Sequence, residues 1–347
     1  MLKWVMKAHR WMSLIFAGFW LLQAVTGTLI SFRGNIDDFA LGAEVTSIIP
    51  EKLGARVDAL QSDGATVWSM WSSGGVQGQF DIYYTKDDTD YTLRVNGEGE
   101  DLRHRPDSNL YSDGALFETL TQFHKNMFLG ALGYTIFSIS AVLLITNIVF
   151  GFVYGWKHRK KLNHLAKVGK AGSVAKLKGL HWEIGLWGAP LAIVLVTFGF
   201  LLSNSDVVDS WVAADLPETV AQPSEGRTIN SGEALEVVSS LYDLETLSAF
   251  KPINAHRDYF EVRVKAPSEM PRLYGASTVR IGGDGQVLLN NDASKAGAGQ
   301  QFANALYPAH TGQILGLPGR VLNFMVGIWL LVMMFLGLSS WFKRKAN

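Results

Sequence analysis

The sequence predicts an α-helical membrane protein of four spans with two α+β extracytoplasmic domains, built from two similar halves. Three observations predict this fold class: four long apolar stretches without charge, basic residues concentrated at one set of their ends, and motifs that recur at constant offsets. The chain has 347 residues, 48% of them hydrophobic, and no cysteine. Its 31 basic and 31 acidic residues balance, which argues against nucleic acid as a partner.

The four charge-free stretches are long enough to cross a membrane as helices. They cover residues 11–32, 126–156, 184–205 and 321–342. Three of them contain 22 residues, which as helix is about 33 Å and exceeds a hydrocarbon core of about 30 Å. They lack the polar face that surface helices of soluble proteins carry. The first stretch resembles a signal peptide but is longer than the apolar region of one, which favours an uncleaved anchor.

Basic residues predict the orientation in the membrane. The loop 157–180 holds eight Lys and Arg and no acid, and each chain end adds three more. The two long segments hold 17 basic residues against 30 acidic ones. The positive-inside rule therefore predicts cytoplasmic termini. The predicted segments are a cytoplasmic N-terminus (1–10), spans at 11–32, 126–156, 181–205 and 321–342, outer domains at 33–125 and 206–320, a basic cytoplasmic loop (157–180) and a cytoplasmic tail (343–347).

The outer segments have the patterning of α+β domains. Residues 232–244 carry apolar side chains at helical spacing. Alternating segments flank Asn-Gly-Glu-Gly at 96–99 and Gly-Asp-Gly at 283–285, a pattern typical of β-hairpins. Trp68 and Trp71 are interpreted as core residues of the first domain, with stacking on a ligand as the alternative.

Two sets of motifs recur at constant offsets. The segment HRWMSLIFAGFWLLQAVTGTLIS, which begins at His9, matches HWEIGLWGAPLAIVLVTFGFLLS, which begins at His181. At a second offset, YTLRVNGEGEDL (91–102) matches STVRIGGDGQVL (277–288), and His124 matches His310. Both halves enter the membrane from the same side, so we interpret them as parallel repeats about an axis along the membrane normal.

The matched histidines predict haem as the cofactor. A two-fold axis would bring His9 to His181 at the cytoplasmic side and His124 to His310 at the outer side. Two imidazoles on different helices can bind a haem iron from both sides, and the absence of cysteine excludes covalent c-type haem and cysteine-ligated clusters. We therefore expect two b-type haems. The other histidines are interpreted as solvated or structural: His104, His158, His164 and His256.

Cations close to the matched histidines fit haem propionates. They are Arg10 and Lys178 at the inner pair and Lys125 and Arg320 at the outer pair. A guanidinium or ammonium group can hold a carboxylate there, although each side chain could instead anchor a helix end at the interface. Nearby glycines could allow a macrocycle or a helix to approach closely; they are Gly27, Gly133, Gly199 and Gly316.

These motifs resemble the PepSY-associated transmembrane family, also called iron-regulated membrane proteins. The resemblance rests on HRWMSL, HWEIGLW and HTGQILGLPGR and covers nearly the whole chain. It implies PepSY-like outer segments, a bacterial inner-membrane location and a role in iron acquisition. Similar members act as haem-containing ferric-siderophore reductases. The four histidines stand at positions that match the family's histidine motifs.

We therefore expect a ferric-siderophore reductase that passes electrons from the cytoplasmic side, by way of two haems, to Fe(III) outside. The donor, either a quinol or a cytoplasmic reductase, stays open, as do the chelate, its docking site and the oligomeric state. The acidic outer segments favour a cationic or neutral complex. Two alternatives are a permease for iron or siderophore complexes and a membrane-anchored PepSY inhibitory or chaperone module.

Overall fold

The computed structural model describes residues 2–107, 115–212 and 228–346. They divide into two units. The helical unit comprises Met1–Ser31, Leu120–Val208 and Leu306–Asn347, and the sheet unit comprises Phe32–Thr119 and Asp209–Ala305. Each unit therefore draws on both halves of the chain.

The helices, in chain order, are α1 (Leu2–Ile30), α2 (Arg33–Ala40), α3 (Pro50–Ser62), α4 (Ala115–Asn126), α5 (Gly130–Lys157), α6 (Arg159–Val168), α7 (Val174–Ser203), α8 (Ser205–Val212), α9 (Ser231–Ser239), α10 (Ala298–His310) and α11 (Gly316–Ala346). The strands are β1 (Thr66–Ser72), β2 (Gln79–Lys86), β3 (Thr89–Asn96), β4 (Asp101–Pro106), β5 (Leu247–Lys251), β6 (Tyr259–Val264), β7 (Ser277–Gly282) and β8 (Val287–Asn291).

Helices α1, α5, α7 and α11 are long and apolar enough to cross a membrane, as the sequence predicts. Only 11–22% of the most apolar part of each helix is buried within the protein, so most of its apolar side chains face outward, as lipid requires. Helix α1 begins at Leu2, well before the charge-free stretch at 11–32. Lysine and arginine are good helix formers, so His9 lies inside the helix and not at its start.

The four long helices form a bundle in which α5 and α11 each pack against both α1 and α7. Helices α1 and α7 therefore stand at opposite corners. The short helix α6 packs along the start of α7, where the Trp182 Nε1 atom donates to the Asn163 Oδ1 atom at 2.8 Å. The Ser173 side chain caps α7 by accepting from the Lys176 amide at 3.2 Å.

The eight strands form one antiparallel sheet in the order β4-β3-β2-β1-β5-β6-β7-β8. The two outer segments meet at its centre, where Met70 and Trp71 of β1 pair with Phe250 and Ala249 of β5. The sequence predicts two outer domains; the described residues instead form one unit with one sheet. Each segment alone presents an open edge strand, and pairing these edges satisfies their backbone hydrogen bonds.

One face of the sheet carries the hydrophobic core, which α3 and α9 cover. Phe80 and Phe250 are among its largest fully buried side chains. The predicted hairpins at 96–99 and 283–285 are confirmed as the β3–β4 and β7–β8 connections. The helix predicted at 232–244 ends earlier, at Ser239, and begins with a capping box between Asn230 and Glu233.

Candidate functional site

The four matched histidines form two pairs in the helical unit. The ring centroids of His9 on α1 and His181 on α7 are 6.2 Å apart, with the ring planes at 61°. Those of His124 and His310 are 6.5 Å apart, with the planes at 27°. His124 and His310 lie on the short helices α4 and α10, not on the spans that follow them. The structure thus brings together the histidines that the sequence pairs.

A glycine on a neighbouring long helix lies against each histidine of the first pair. A Cβ atom at Gly151 on α5 would lie 2.9 Å from the Cε1 atom of His9, and one at Gly337 on α11 would lie 3.4 Å from the same atom of His181. The His9 Nδ1 atom donates to the Asn147 carbonyl at 2.9 Å. The Nδ1 atom of His181 is buried and makes no hydrogen bond of ordinary geometry to the described residues, but the ring interacts with the backbone of Met333, four residues before Gly337.

The second pair has the same surroundings. A Cβ atom at Gly27 on α1 or at Gly199 on α7 would lie 2.7 Å from the Cε1 atom of His124 or His310, respectively. The His310 Nδ1 atom donates to the Leu195 carbonyl at 3.1 Å. The Nδ1 atom of His124 lies 3.1 Å from the Thr26 hydroxyl, which already donates to the Leu22 carbonyl and therefore accepts from the ring.

These hydrogen bonds determine which ring nitrogen is available to a metal. The carbonyls of Asn147 and Leu195 lie four residues before Gly151 and Gly199, on the same helix face. A glycine at that position lets the imidazole approach the helix closely enough to reach the carbonyl. Because Nδ1 carries the proton in these bonds, Nε2 keeps its lone pair, which is the arrangement of a metal-bound histidine held by an outer hydrogen bond.

The separation within each pair fits two ligands on one iron. A metal–imidazole nitrogen bond is about 2.0–2.1 Å and a ring nitrogen lies about 1.1 Å from the ring centre, so two imidazoles on opposite sides of one metal have centroids about 6.3 Å apart. The observed values are 6.2 and 6.5 Å. Among the described residues, no group of three or more His, Asp or Glu side chains could hold a metal ion alone. Two axial ligands suffice for haem, whose macrocycle provides the others.

The two pairs lie at opposite ends of the bundle. Gly27, which touches His124, follows His9 by 18 positions on α1, and Gly199 follows His181 by the same interval on α7. At 1.5 Å of rise per residue, the pairs are about 27 Å apart along the helices. One haem cannot span both pairs.

The predicted propionate cations differ in burial. The Arg10 Nε atom is buried and makes no hydrogen bond to any described residue. The Arg320 Nη2 atom donates to the Ser31 carbonyl at 3.2 Å. Lys125 and Lys178 are exposed. A buried guanidinium nitrogen without a partner is costly, so Arg10 best fits a bound carboxylate.

Buried acceptors without partners also occur beside each pair. The Oδ1 atom of Asn147, whose carbonyl accepts from His9, has no partner among the described residues. The same holds for the Oε1 atom of Gln23, whose Nε2 atom donates to the His124 carbonyl at 3.0 Å. In the described part of the helical unit, the four buried polar atoms without a partner all belong to a paired histidine or to a residue beside one: Arg10, Gln23, Asn147 and His181.

Sequence reasoning recognises Gly27 and Gly199 but misses Gly151 and Gly337. These two glycines lie on α5 and α11 and contact His9 and His181, which lie on α1 and α7. Their separation of 186 residues equals the offset that links His124 to His310, and this could have revealed them. Of the other expected glycines, Gly133 packs on the backbone of Asn126, and Gly316 meets no atom within 4 Å.

Of the four remaining histidines, His164 is exposed on α6, and the other three take part in local aromatic contacts. His104 stacks on Tyr84 and Tyr91, His256 stacks on Trp68, and His158 stacks on Tyr154. Trp68 is 39% exposed and Trp71 lies on the sheet face opposite the hydrophobic core, so neither is the core residue that the sequence predicts.

The comparison with known proteins identifies the family. The model of the PepSY-associated TM region matches residues 6–344, which include the four long helices, the sheet and both histidine pairs. No curated protein matches the chain. With four membrane-spanning helices and a family match over nearly its whole length, the chain is a multi-pass membrane protein that belongs to the PepSY-associated transmembrane family.

Proposed function

We propose that the protein is a di-haem b electron conduit of the bacterial inner membrane that reduces a ferric siderophore on the outer side. The observation that carries this proposal is the presence of two histidine pairs, at opposite ends of the bundle, with centroid separations of 6.2 and 6.5 Å. Membership of the PepSY-associated family, which is linked to iron-regulated membrane proteins, supports a role in iron acquisition.

We also propose that the chain arose by duplication. Gly27 and Gly199 share the offset of 172 residues that links His9 to His181, and all four glycines contact one paired histidine each. Residues related by the sequence offset therefore make the same glycine–histidine contact in each half of the chain. A parallel repeat of this kind supports an axis along the membrane normal between α1 and α7.

The chain's own residues would bind and orient the cofactors. His9 and His181 would hold one iron and His124 and His310 the other, with Nε2 as the free ring nitrogen of His9 and His310. The Asn147 and Leu195 carbonyls keep two of these rings in position by accepting from Nδ1. Arg10 would hold a propionate near the first pair. When bound, each haem supplies a one-electron carrier near one end of the bundle.

The net reaction transfers one electron from the donor, a quinol or a cytoplasmic reductase, to Fe(III) in the chelate. Oxygen chelators hold Fe(II) much less tightly than Fe(III), so the reduction releases the metal and leaves the chelator intact. With the His9–His181 end on the negative side of the membrane, the field favours this direction by about 2.3 kcal/mol per 100 mV.

Absorption spectroscopy tests the cofactor. Protein purified after expression with haem supplied should show a Soret band and contain two protoporphyrin haems per chain. A colourless protein under these conditions would rule out the conduit.

Reoxidation tests the reaction. Dithionite-reduced protein should return to the oxidised spectrum when a ferric hydroxamate siderophore is added. One Fe(II) should appear for each haem that is reoxidised. The gallium complex of the same siderophore is the control, because Ga(III) has similar size and charge but does not accept the electron. A reduced spectrum that no class of ferric chelate changes would refute the reductase even with haem bound.

A further inference from the structure

Arg263 on β6 is a half-buried cation with no ionic partner in the part of the chain that the structure describes. Among the described residues it makes no hydrogen bond or ion pair, and its guanidinium lies 5.8 Å from the centroid of the Trp71 ring. Most other partly or fully buried arginines of the described sheet unit lie within ion-pair distance of a carboxylate: Arg94, Arg103, Arg105, Arg272 and Arg280. Arg257 instead donates to the Pro252 carbonyl.

Strand register explains how Arg263 meets Trp71. Trp71 pairs with Ala249 on β5, and Ala249 pairs with Arg263 on β6, so the three side chains share one sheet face. Strands are about 4.8 Å apart, and the small Ala249 side chain leaves the space above β5 open. The indole and the guanidinium meet over this alanine, and Tyr274 packs edge-on against the indole, with centroids 6.0 Å apart.

Glu261 and Glu269, the two described carboxylates whose charges act on Arg263, are already engaged. Glu261 binds Lys251 at 2.7 Å and Arg280 at 3.0 Å. Glu269 accepts from the Ala276 amide at 2.6 Å and from the Ser277 hydroxyl at 3.0 Å. Burial lowers the pKa of Arg263, and the charges of Glu261 and Glu269 oppose this without contacting it. Within the described residues, the guanidinium donors of Arg263 are therefore not engaged by a carboxylate.

We propose that Arg263, Trp71 and Tyr274 form a subsite for an anionic oxygen group, such as a carboxylate, of the ferric chelate. A guanidinium binds a carboxylate through two parallel hydrogen bonds, and an aromatic face beside it excludes water from them. The guanidinium nitrogens of Arg263 are not among the buried polar atoms that lack a partner, so they can be reached from solvent, and an anionic group that binds there would complete the pair. This inference rests on the proposed function and names its substrate: a chelate with a carboxylate group, in contrast to the cationic or neutral complex that the overall charge favours.

Binding to the oxidised, full-length protein tests the subsite without any electron transfer. Isothermal titration with ferric citrate should show saturable binding, and Arg263→Gln should weaken it by about tenfold to a hundredfold, as expected for loss of a charge-assisted hydrogen bond. Arg56→Gln is the matched control: it removes the same charge from the sheet unit, but Arg56 is paired with Asp101, and its binding should match that of the wild type. Arg263→Met should keep or raise the thermal unfolding midpoint while losing binding.

Three results would overturn the inference. The first is equal affinity of wild type and Arg263→Gln for ferric citrate. The second is an equal loss in Arg56→Gln, which would show a general charge effect. The third is loss of a haem from Arg263→Gln, which would assign the guanidinium to a propionate and not to the chelate. If citrate binding fails while a ferric hydroxamate still reoxidises the haems, the subsite is wrong and the proposed function stands. If no haem is found, the proposed function fails, and the titration still decides the subsite.

Discussion

At the residue scale, the contact between a glycine and a histidine is the unit from which the candidate site is built. Each paired histidine lies against one glycine, but the contacts differ in closeness. A Cβ atom would meet His124 at 2.7 Å from Gly27 and His181 at 3.4 Å from Gly337. Real Cβ contacts do not reach 2.7 Å, whereas 3.4 Å is ordinary van der Waals contact. The four positions therefore differ in their tolerance of alanine.

Gly27→Ala should displace His124 and weaken retention of the haem at that pair by about tenfold to a hundredfold, because the hydrogen bond to Thr26 is lost with the ring position. The haem at His9 and His181 should keep its absorption and midpoint potential. Gly18→Ala is the control on the same helix, since nothing lies within 4 Å of its Cβ position. Redox titration followed by absorbance measures both. Identical redox titrations of Gly27→Ala and Gly18→Ala would show that the close contact between Gly27 and His124 does not hold the haem.

Two carboxylates of the sheet unit give its stability a pH dependence. Burial by itself raises the pKa of Asp37, but the hydrogen bond and charge of Arg103, with Arg94, hold this pKa below its ordinary value. The pKa of Glu261 is likewise lowered, because Lys251 and Arg280 outweigh the effect of burial. A carboxylate with a lowered folded-state pKa stabilises the fold above its unfolded-state pKa, and this contribution is lost as pH falls through the folded-state value.

The thermal unfolding midpoint should therefore fall as pH is lowered from about 5 to 3. Asp37→Asn should start from a lower midpoint and lose less of it over this interval, because its contribution no longer titrates. Circular dichroism of the full-length protein at the strand signal measures both curves. Parallel curves for wild type and Asp37→Asn would show that this carboxylate does not contribute.

At the element scale, buried ion pairs attach the short helix α2 to the sheet. Arg94 on β3 contacts Asp37 and Asp38 of α2 and Asp81 of β2. The Arg94 side chain is 3% exposed and that of Asp38 is fully buried. Arg103 on β4 adds a second contact to Asp37 at 2.8 Å. The position of α2 on this face therefore depends on one guanidinium that serves three carboxylates.

Arg94→Met should destabilise the sheet unit by about 3–5 kcal/mol, because it leaves Asp38 buried without a counter-charge. The thermal unfolding midpoint of the full-length protein should fall clearly. Arg56→Met is the matched control, since its pair with Asp101 is partly exposed and is worth only about 0–1 kcal/mol. Restoration of the midpoint by Arg94→Met combined with Asp38→Leu would confirm that the unpaired carboxylate causes the loss. Equal midpoints for Arg94→Met and Arg56→Met would exclude this role.

At the scale of the whole molecule, the two histidine pairs define two separate sites. His9→Ala and His181→Ala should each damage the same haem, because one low-spin iron needs both imidazoles. The double variant should lose little more haem than the single variant with the larger loss, as expected when two residues act on one site. The second haem should keep its redox transition in all three.

The reciprocal variants test the other end. His124→Ala with His310→Ala should spare the haem at His9 and abolish electron delivery to the chelate. Haem content and redox titration measure the outcome. Additive loss of one haem per substitution at either end would show that the histidines serve separate five-coordinate sites, and the sandwich would then be wrong.

The sequence by itself determined the features that depend on local composition. Four spans follow from runs of apolar residues, which must be about 20 residues long in any membrane. The hairpins follow from turn residues between alternating strands. The pairing of His9 with His181 and of His124 with His310 follows from repeated motifs at constant offsets.

Only the tertiary structure decided how distant segments meet. The union of both outer segments in one sheet depends on hydrogen bonds between β1 and β5, which are about 180 residues apart and carry no local signal of their partner. The contacts of Gly151 and Gly337 with the histidines depend on the faces that packed helices present to one another. The contact of Arg263 with Trp71 likewise depends on strand register, which places a small alanine between them. Such contacts join residues across the chain, so spacing along one segment does not reveal them.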